Sequence, residues 1–232
     1  MMIAIVIATY KRKDGKTPFY LTRALNSIMV QTYKEWDVYL IGDNYEDEDE
    51  LYNIAKDFEN VDVINLAEAK ERNKYPFGDY RLFCAGGVNA ALYGVTQALK
   101  DGFKYVCHLD HDDYWHPDHL KKIAEVIETF DPLFVCTISS HIIGNLPNVE
   151  ISGAIQHFLP LPCGMITSSA CIKYSDTELR GRDVFAETGE AYPADADLWR
   201  RLSDEMEREN KPGYLIASVT CYHDEEGYSL RL

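Results

Sequence analysis

Residues 2–9 (MIAIVIAT) form an almost uninterrupted apolar, β-branched run, the pattern of a strand buried on both faces of a sheet. Similar runs recur at 36–41 (WDVYLI), 61–66 (VDVINL), 103–109 (FKYVCHL), 133–138 (LFVCTI) and 214–222 (YLIASVTCY). Between them the apolar positions take helical spacing. Leu21, Leu25, Ile28 and Met29 follow Thr17-Pro18, which reads as an N-cap and first turn and predicts a helix to about Gln31. Leu51, Ile54, Ala55 and Phe58 mark a second helix behind the acidic stretch 43–50, and 82–99 reads as a third, rich in small residues and ended by Gly102. A fourth runs from Pro117 to about Phe130, before the Asp131-Pro132 break. A fifth spans Asp195 to Glu209, with Leu198, Leu202 and Met206 on one face and Asn210-Lys211-Pro212-Gly213 as its stop. Residues 67–79 are polar and irregular. From Ser139 to Gly189 the periodicity weakens, leaving only short strands such as 165–172.

Strands alternating with helices place the chain in the α/β class, with a mainly parallel sheet and ligands at the carboxyl ends of its strands. The 232 residues suffice for one large domain or two small ones. With no repeat, low-complexity segment or evident linker, one domain over 1–232 is expected.

Hydrophobic residues at 46% and charged residues at 26% exclude a disordered chain. Lys and Arg total 23 against 38 Asp and Glu, a net charge of −15 that repels phosphate backbones and excludes nucleic acid as a partner. A small phosphorylated ligand would need a bridging divalent cation or a local basic patch. The cysteines (84, 107, 136, 163, 171 and 221) are scattered without a CxxC, so reduced, mostly buried thiols and a cytoplasmic location are expected. The opening apolar run is too short to cross a bilayer and lacks the basic flank and cleavage site of a signal peptide. No later run reads as membrane-spanning, so no integral membrane segment is expected; peripheral contact stays open.

The densest chemistry lies in 108–119 (HLDHDDYWHPDH). Asp110 and Asp112, two apart in extended backbone, share a face just past the fourth strand. Carboxylates with waters suit Mg2+ or Mn2+, and such an ion would let an acidic protein hold a diphosphate. The competing reading is a solvated turn with a helix cap; the position between an apolar strand and a Pro-initiated helix favours the first. Zinc is disfavoured, because the string is not His-x-His-x-Asp-His and there is no HExxH. His116 and His119 are expected on the exposed first turn of the helix.

Four segments in order, Ala8-Thr9-Tyr10-Lys11-Arg12, Ser27 to Tyr33, Gly42-Asp43-Asn44-Tyr45 and Asp110-His111-Asp112, give the chain a pattern that resembles the nucleotide-sugar-binding half of family 2 glycosyltransferases. It departs from theirs at Gly42, where an acid is usual, and at Tyr45, where serine is. The resemblance is strong to about residue 123. It implies a GT-A (Rossmann-like) sheet flanked by helices, with a donor half over 1–123 and a smaller mixed acceptor half over 124–232. It implies that Ala8, Thr9, Tyr10 and Asp43 contact the base and ribose, that Asp110 and His111 lie on the ribose side, and that Asp112 ligates the metal. Arg81 and Asn89 fall on a segment that approaches the nucleotide in such enzymes, although a surface salt bridge would equally explain Arg81. A turn at Thr9 and a helix start at Asp43 are the plainer alternatives.

Farther on, Ala194 to Leu202 (ADADLWRRL) resembles the family's E-D-x-D-L-W-x-R-L stretch. By that likeness Asp195 is the catalytic base; read alone, it is an ordinary helix cap. Asp197 carries no direct chemistry in this reading. Residues 222–229 are loosely similar to the family's Y-R-x-H-x-x-S tail, so His223 would close over the diphosphate or supply a further metal ligand, unless it is simply solvated. His141 and His157 fit no pattern and read as structural. Trp115, Tyr174, Tyr192 and Trp199 could include a sugar-stacking platform, with most of them expected in the core.

The resemblance therefore implies an inverting, divalent-metal-dependent transferase moving a sugar from a nucleoside-diphosphate sugar, UDP-linked by preference, to a hydroxyl of a glycan or other acceptor, as in polysaccharide biosynthesis. A non-catalytic nucleotide-sugar or glycan-binding module is the alternative. A nucleotidyltransferase would show a Gly-rich phosphate loop after the first strand, and residues 10–16 are not one.

Overall fold

The computed structural model describes residues 1–223. Its elements in order are β1 (Ile3–Thr9), α1 (Thr17–Met29), β2 (Trp36–Gly42), α2 (Glu48–Ala55), β3 (Val61–Asn65), α3 (Lys70–Lys74), α4 (Tyr80–Ala85), α5 (Val88–Lys100), β4 (Tyr105–His108), β5 (Tyr114–Trp115), α6 (His119–Phe130), β6 (Phe134–His141), β7 (Gly144–Leu146), β8 (Ile155–His157), β9 (Ala170–Lys173), α7 (Val184–Thr188), α8 (Ala194–Glu209) and β10 (Gly213–Tyr222). The strands join in one sheet ordered β3-β2-β1-β4-β9-β6-β10-β5, with β7 on β6 and β8 on β10. β3, β2, β1 and β4 run parallel, as the alternation of runs predicts. β9 enters antiparallel between β4 and β6, and β10 is parallel to β6.

The period of two in β1 divides the core between the faces of the sheet. Ile3, Ile5 and Ile7 pack with Leu21, Leu25 and Ile28 of α1 and Leu120, Ile123 and Ile127 of α6. Ala4 and Val6 point the other way, into a cluster with Val95 and Ala98 of α5 and Trp199 and Leu202 of α8. Each fully buried Leu or Ile contributes about 2 kcal/mol of transfer free energy, so both faces are strongly committed. Close approach of α5 depends on Gly94, where a Cβ would stand 2.6 Å from Val6 Cγ1.

Several local expectations are corrected. The helix expected over 82–99 is two, α4 and α5, because Gly86 and Gly87 break it and Gly87 takes φ 82° as the residue before α5. Residues 80–100 are together long and apolar enough to cross a membrane by length and composition, with mean hydropathy 1.2; the break, and the packing of α5 on the sheet, are those of a core element. Thr17 does not cap α1. Its hydroxyl donates to Tyr10 O at 3.0 Å and accepts from Arg12 N at 2.9 Å, closing the β1–α1 loop on itself. The polar segment 67–79 contains α3, and the strand expected near 165–172 is displaced to Ala170–Lys173. The cysteines are free, all buried except Cys163.

Candidate donor-binding and transfer site

At the carboxyl ends of β1 and β2, Asp43 N donates to Thr9 O at 2.7 Å, extending the parallel pairing one step beyond the strands. Asp43 is buried, and Arg72 Nε donates to its Oδ2 at 2.9 Å. The same guanidinium reaches the Asp43 and Asn44 carbonyls and lies 5.1 Å from the centroid of Tyr10, whose ring meets His111 edge-on at 5.6 Å. The structure thus brings Thr9, Tyr10, Asp43 and His111 together around Arg72, with half-buried Ala8 at the end of β1. Thr9 Oγ1 and Asp43 Oδ1 are buried with no hydrogen-bond partner among the described residues. Burying such atoms unsatisfied costs about 1–3 kcal/mol each, so a further partner, a water or a ligand, is expected at both.

Arg72 escapes sequence reasoning because it sits in a polar stretch without periodicity. Asn65 escapes it too. Its amide accepts from Tyr45 N at 2.8 Å and donates to Tyr45 O at 3.1 Å, fixing the turn after β2. That turn explains Gly42: a Cβ there would stand 2.5 Å from Asn65 Oδ1 and 2.8 Å from Leu51 Cδ2, so no acid fits.

Beyond β4 the chain turns tightly, with Asp113 N donating to Asp110 O at 3.0 Å. Asp110 is exposed, whereas Asp112 and Asp113 are buried. Arg12 Nη1 lies 3.4 Å from Asp112 Oδ2, and Arg23 Nη2 donates to the Asp112 carbonyl at 2.6 Å. Asp113 accepts from Ser168 Oγ at 2.5 Å and pairs with His223 Nδ1 at 2.8 Å. Burial alone would lower the His223 pKa, but the hydrogen bond and charge of Asp113, with Asp110 and Asp112 nearby, outweigh it and hold the pKa above the ordinary value. Ser168 Oγ also accepts from Asp110 N at 2.9 Å, so one hydroxyl ties both ends of the turn. Among the described residues no three His, Cys, Asp or Glu side chains gather as a ready metal cage. Of the tail that suggested His223, residues 224–229 lie outside the described residues.

His119 is not on an exposed turn as the sequence suggests. It is fully buried, its Nδ1 is 2.8 Å from Thr220 Oγ1, and its ring stacks on Trp115 at 4.3 Å; only His116 is exposed there. His108 is also buried, 2.9 Å from the Tyr174 hydroxyl. Trp115, Tyr174 and Trp199 belong to the core, leaving only Tyr192 of the four aromatics partly accessible. His141 stacks on His223 with centroids 4.8 Å apart.

On the far side, Asp195 stands exposed in the first turn of α8, and its Oδ1 accepts from Ala196 N at 2.8 Å. Asp197, one turn-face away, is buried among three arginines: Arg182 Nε at 2.9 Å, Arg201 Nε at 2.7 Å and Arg200 Nη2 at 3.1 Å. Burial would raise its pKa, yet the hydrogen bonds and charges of Arg182 and Arg201 hold it down at about 2. It is a structural hub. Arg81 Nε donates to both Asp79 carboxylate oxygens, at 2.9 and 3.0 Å, and its guanidinium lies over Tyr75 and Phe185. These contacts turn Arg81 toward α7 and match the surface-pair alternative. Asn89, at the start of α5, gives its backbone N–H to the buried Glu71 carboxylate.

Buried polar groups at the ends of parallel strands, a carboxylate turn beyond the next strand and a largely parallel sheet flanked by helices are the arrangement of a GT-A fold. The chain belongs to glycosyl transferase family 2, whose model matches residues 4–174. It is 34% identical over 96% of its length, and 94% of the relative's, to the uncharacterized glycosyltransferase R139 of Acanthamoeba polyphaga mimivirus. The succinoglycan biosynthesis protein ExoW of Rhizobium meliloti is 32% identical over 56% of this chain and 35% of its own. Among solved structures, S. aureus TarS 1–349 matches 96% of this chain with TM-score 0.67 at 15% identity. The chain spans 60% of that TarS chain. The same TarS fragment is also known in complex with UDP, matching at TM-score 0.65 and 14% identity, and with UDP-GlcNAc. The protein is therefore a glycosyltransferase with a nucleotide-sugar-binding fold.

Proposed function

We propose that this glycosyltransferase takes a UDP-sugar, transfers the sugar with inversion to a hydroxyl of a glycan acceptor, and depends on Mn2+ or Mg2+. The carrying observation is the pair of buried, unsatisfied oxygens, Thr9 Oγ1 and Asp43 Oδ1, beside Arg72 and Tyr10. Two acceptor atoms on a rigid strand edge suit the N–H and O–H donors of a nucleobase and ribose. The UDP complexes of TarS support uridine as the base.

The donor set fits a hard divalent ion held mostly by its substrate. Asp112 would supply one carboxylate oxygen and His223 its Nε2, while Asp113 fixes the tautomer and ring orientation from the Nδ1 side. With no three-ligand cage among the described residues, the diphosphate would complete the coordination, as Mg2+ sites commonly require. When bound, the ion supplies charge to the departing diphosphate. Asp110 and His111 lie where the ribose side of the donor would rest.

Asp195 is the base of this reading. Its carboxylate accepts the proton of the acceptor hydroxyl while that oxygen bonds to the anomeric carbon, opposite the C–O bond that breaks; the electron pair leaves with the diphosphate. The first turn of α8 favours the ionised carboxylate. Arg81 and Asn89 serve the donor indirectly, through the packing of α4 and α5. Residues 1–123 carry the donor half in this reading and the later residues the acceptor half. The name of ExoW, a succinoglycan biosynthesis protein, supports polysaccharide biosynthesis as the setting, and the free cysteines support a reducing, cytoplasmic location.

A thermal-shift titration with UDP, with and without Mn2+, tests the donor site. UDP is expected to raise the melting temperature more with Mn2+ present, and Asp112→Asn to abolish the metal-dependent part. Asp195→Asn should keep the UDP shift and lose sugar transfer; normal turnover in that variant would remove Asp195 as the base.

A further inference from the structure

On α4 the molecule carries an aromatic surface that the proposed donor site does not use. Tyr80 and Phe83, at i and i+3 on α4, are 58% and 46% exposed. Their rings lie 5.8 Å apart with planes only 20° from parallel, and together they form a nearly flat shelf. Phe77, three residues before α4, is exposed too, and the Lys13 ammonium lies 4.6 Å from its ring centroid. Single exposed apolar residues need no explanation, but a contiguous group of aromatics on one short element does.

The shelf is held rigidly. On its inner side Cys84 and Ala85 are buried, and on its flank Arg81 is clamped by Asp79 and by the rings of Tyr75 and Phe185. It also adjoins the proposed base. Tyr80 shares a hydrogen bond with the Cys84 thiol and lies near Cys163. Burial pushes the Cys84 thiol pKa up, the Tyr80 hydrogen bond lowers it and the charge of Asp195 raises it, so Asp195 lies within electrostatic reach of Cys84. Cys163 Sγ is 3.9 Å from the Tyr192 hydroxyl. Cys84, next in sequence to Phe83, thus neighbours both the shelf and the carboxylate.

We propose that the Tyr80–Phe83 shelf is the acceptor subsite and takes a pyranose ring of a neutral glycan face-on, directing one of its hydroxyls toward Asp195. The inference rests on the transfer reading given above. One face of a pyranose presents C–H bonds with partial positive charge, which the negative face of an aromatic ring attracts. Its edge presents hydroxyls, which the Tyr80 hydroxyl on the shelf and the nearby Asp195 carboxylate would receive. Arg81, the cation on this element, is engaged by Asp79, and the net charge of −15 disfavours an anionic occupant. A saccharide ring therefore fits the chemistry, and continuity with Asp195 fits its use.

The test is saturation-transfer NMR with UDP and Mn2+ present and a fixed set of methyl glycosides: glucoside, galactoside, mannoside, rhamnoside and N-acetylglucosaminide. At least one should receive saturation on the C–H protons of one ring face. In the Tyr80→Ala/Phe83→Ala double variant its affinity should fall about tenfold, the size of one or two ring contacts. Tyr80→Phe with Phe83→Tyr, which keeps both rings, should restore it, and Asp195→Asn should retain it. Equal signals in wild type and the double variant, strong or absent, overturn the proposal. The UDP thermal shift of the double variant should match wild type. Failure of wild type itself to bind UDP would sink the transferase reading instead, so the two failures are distinct.

Discussion

Arg12, from the loop after β1, reaches across the carboxyl edge of the sheet to place its Nη1 3.4 Å from the Oδ2 of Asp112, one hundred residues later. Both side chains are almost fully buried, at 8% and 2% exposure. A buried carboxylate that loses a cation partner is strongly destabilised. Arg12→Met should therefore cost about 3 kcal/mol in urea unfolding, and Mn2+ with UDP should recover part of the loss by supplying charge at Asp112. A loss within experimental error would show that the pair contributes little to holding the turn.

His108 and His119 bear on the response to acid. Burial lowers their pKa values to about 4 and about 3, with a minor contribution from His116 at the second. The unfolded chain takes up these protons near pH 6.5, so their stabilisation is complete above that pH and is lost as pH falls toward the folded values. At pH 5 each should have withdrawn about 2 kcal/mol. Asp197, held at about 2, loses its contribution only below the ordinary carboxylate range, and His223, with its raised pKa, loses its own only on the alkaline side. The two buried histidines thus dominate the interval from pH 6.5 to 5, while Glu71 and Asp37, raised chiefly by burial, act in the opposite direction toward its acid end. Urea midpoints for wild type and His119→Gln should show the variant with about half the acid dependence; identical slopes would mean that His119 is not buried neutral.

Asp195 and Asp197, two residues apart, should separate chemistry from architecture. Asp197→Ala leaves three arginines without their shared carboxylate and should destabilise by about 2 kcal/mol, the partial exposure of the arginines reducing the value for a fully buried pair. It should also reduce transfer by loosening the first turn of α8. Asp195→Asn should change the melting temperature little. Calorimetry on both variants checks the contrast, and an equal loss of stability in the two would remove it.

Gly42→Ala places a methyl against Asn65 Oδ1 and Leu51 Cδ2. About 1–3 kcal/mol of overpacking is expected, together with weaker UDP binding, because the displaced Asn65 also positions the backbone after Asp43. Asn65→Ala should weaken UDP binding in the same direction. Unchanged UDP affinity in both variants would separate the turn from the donor site.

The parallel half of the sheet was legible in sequence because each of its strands is an apolar run bounded by polar loops, and the Asp110–Asp113 string stood out for its density. Less was visible where structure depends on distant partners. β9 is four residues long and takes its place from pairing with β4 and β6, so no local period announces it. Arg72, Asn65 and Ser168 are single polar residues whose roles arise only when the chain brings Asp43, Tyr45 and Asp113 beside them. His119 looked like one more polar residue in an acidic stretch; its burial follows from the approach of Thr220 in β10. The Gly86-Gly87 pair did carry the signal for the break between α4 and α5.

The position of β9 makes the first 123 residues and the rest of the chain inseparable in the physical sense. A strand from the later part of the chain completes the sheet beside β4, and Ser168 just ahead of it secures the carboxylate turn. A polypeptide cut after residue 123 would lose the strand that pairs with its own β4, so activity should return only when the two pieces are mixed and reassemble. The two substrates would then meet on a single continuous ribbon, their spacing set by strand registry and independent of any swinging of two bodies about a joint.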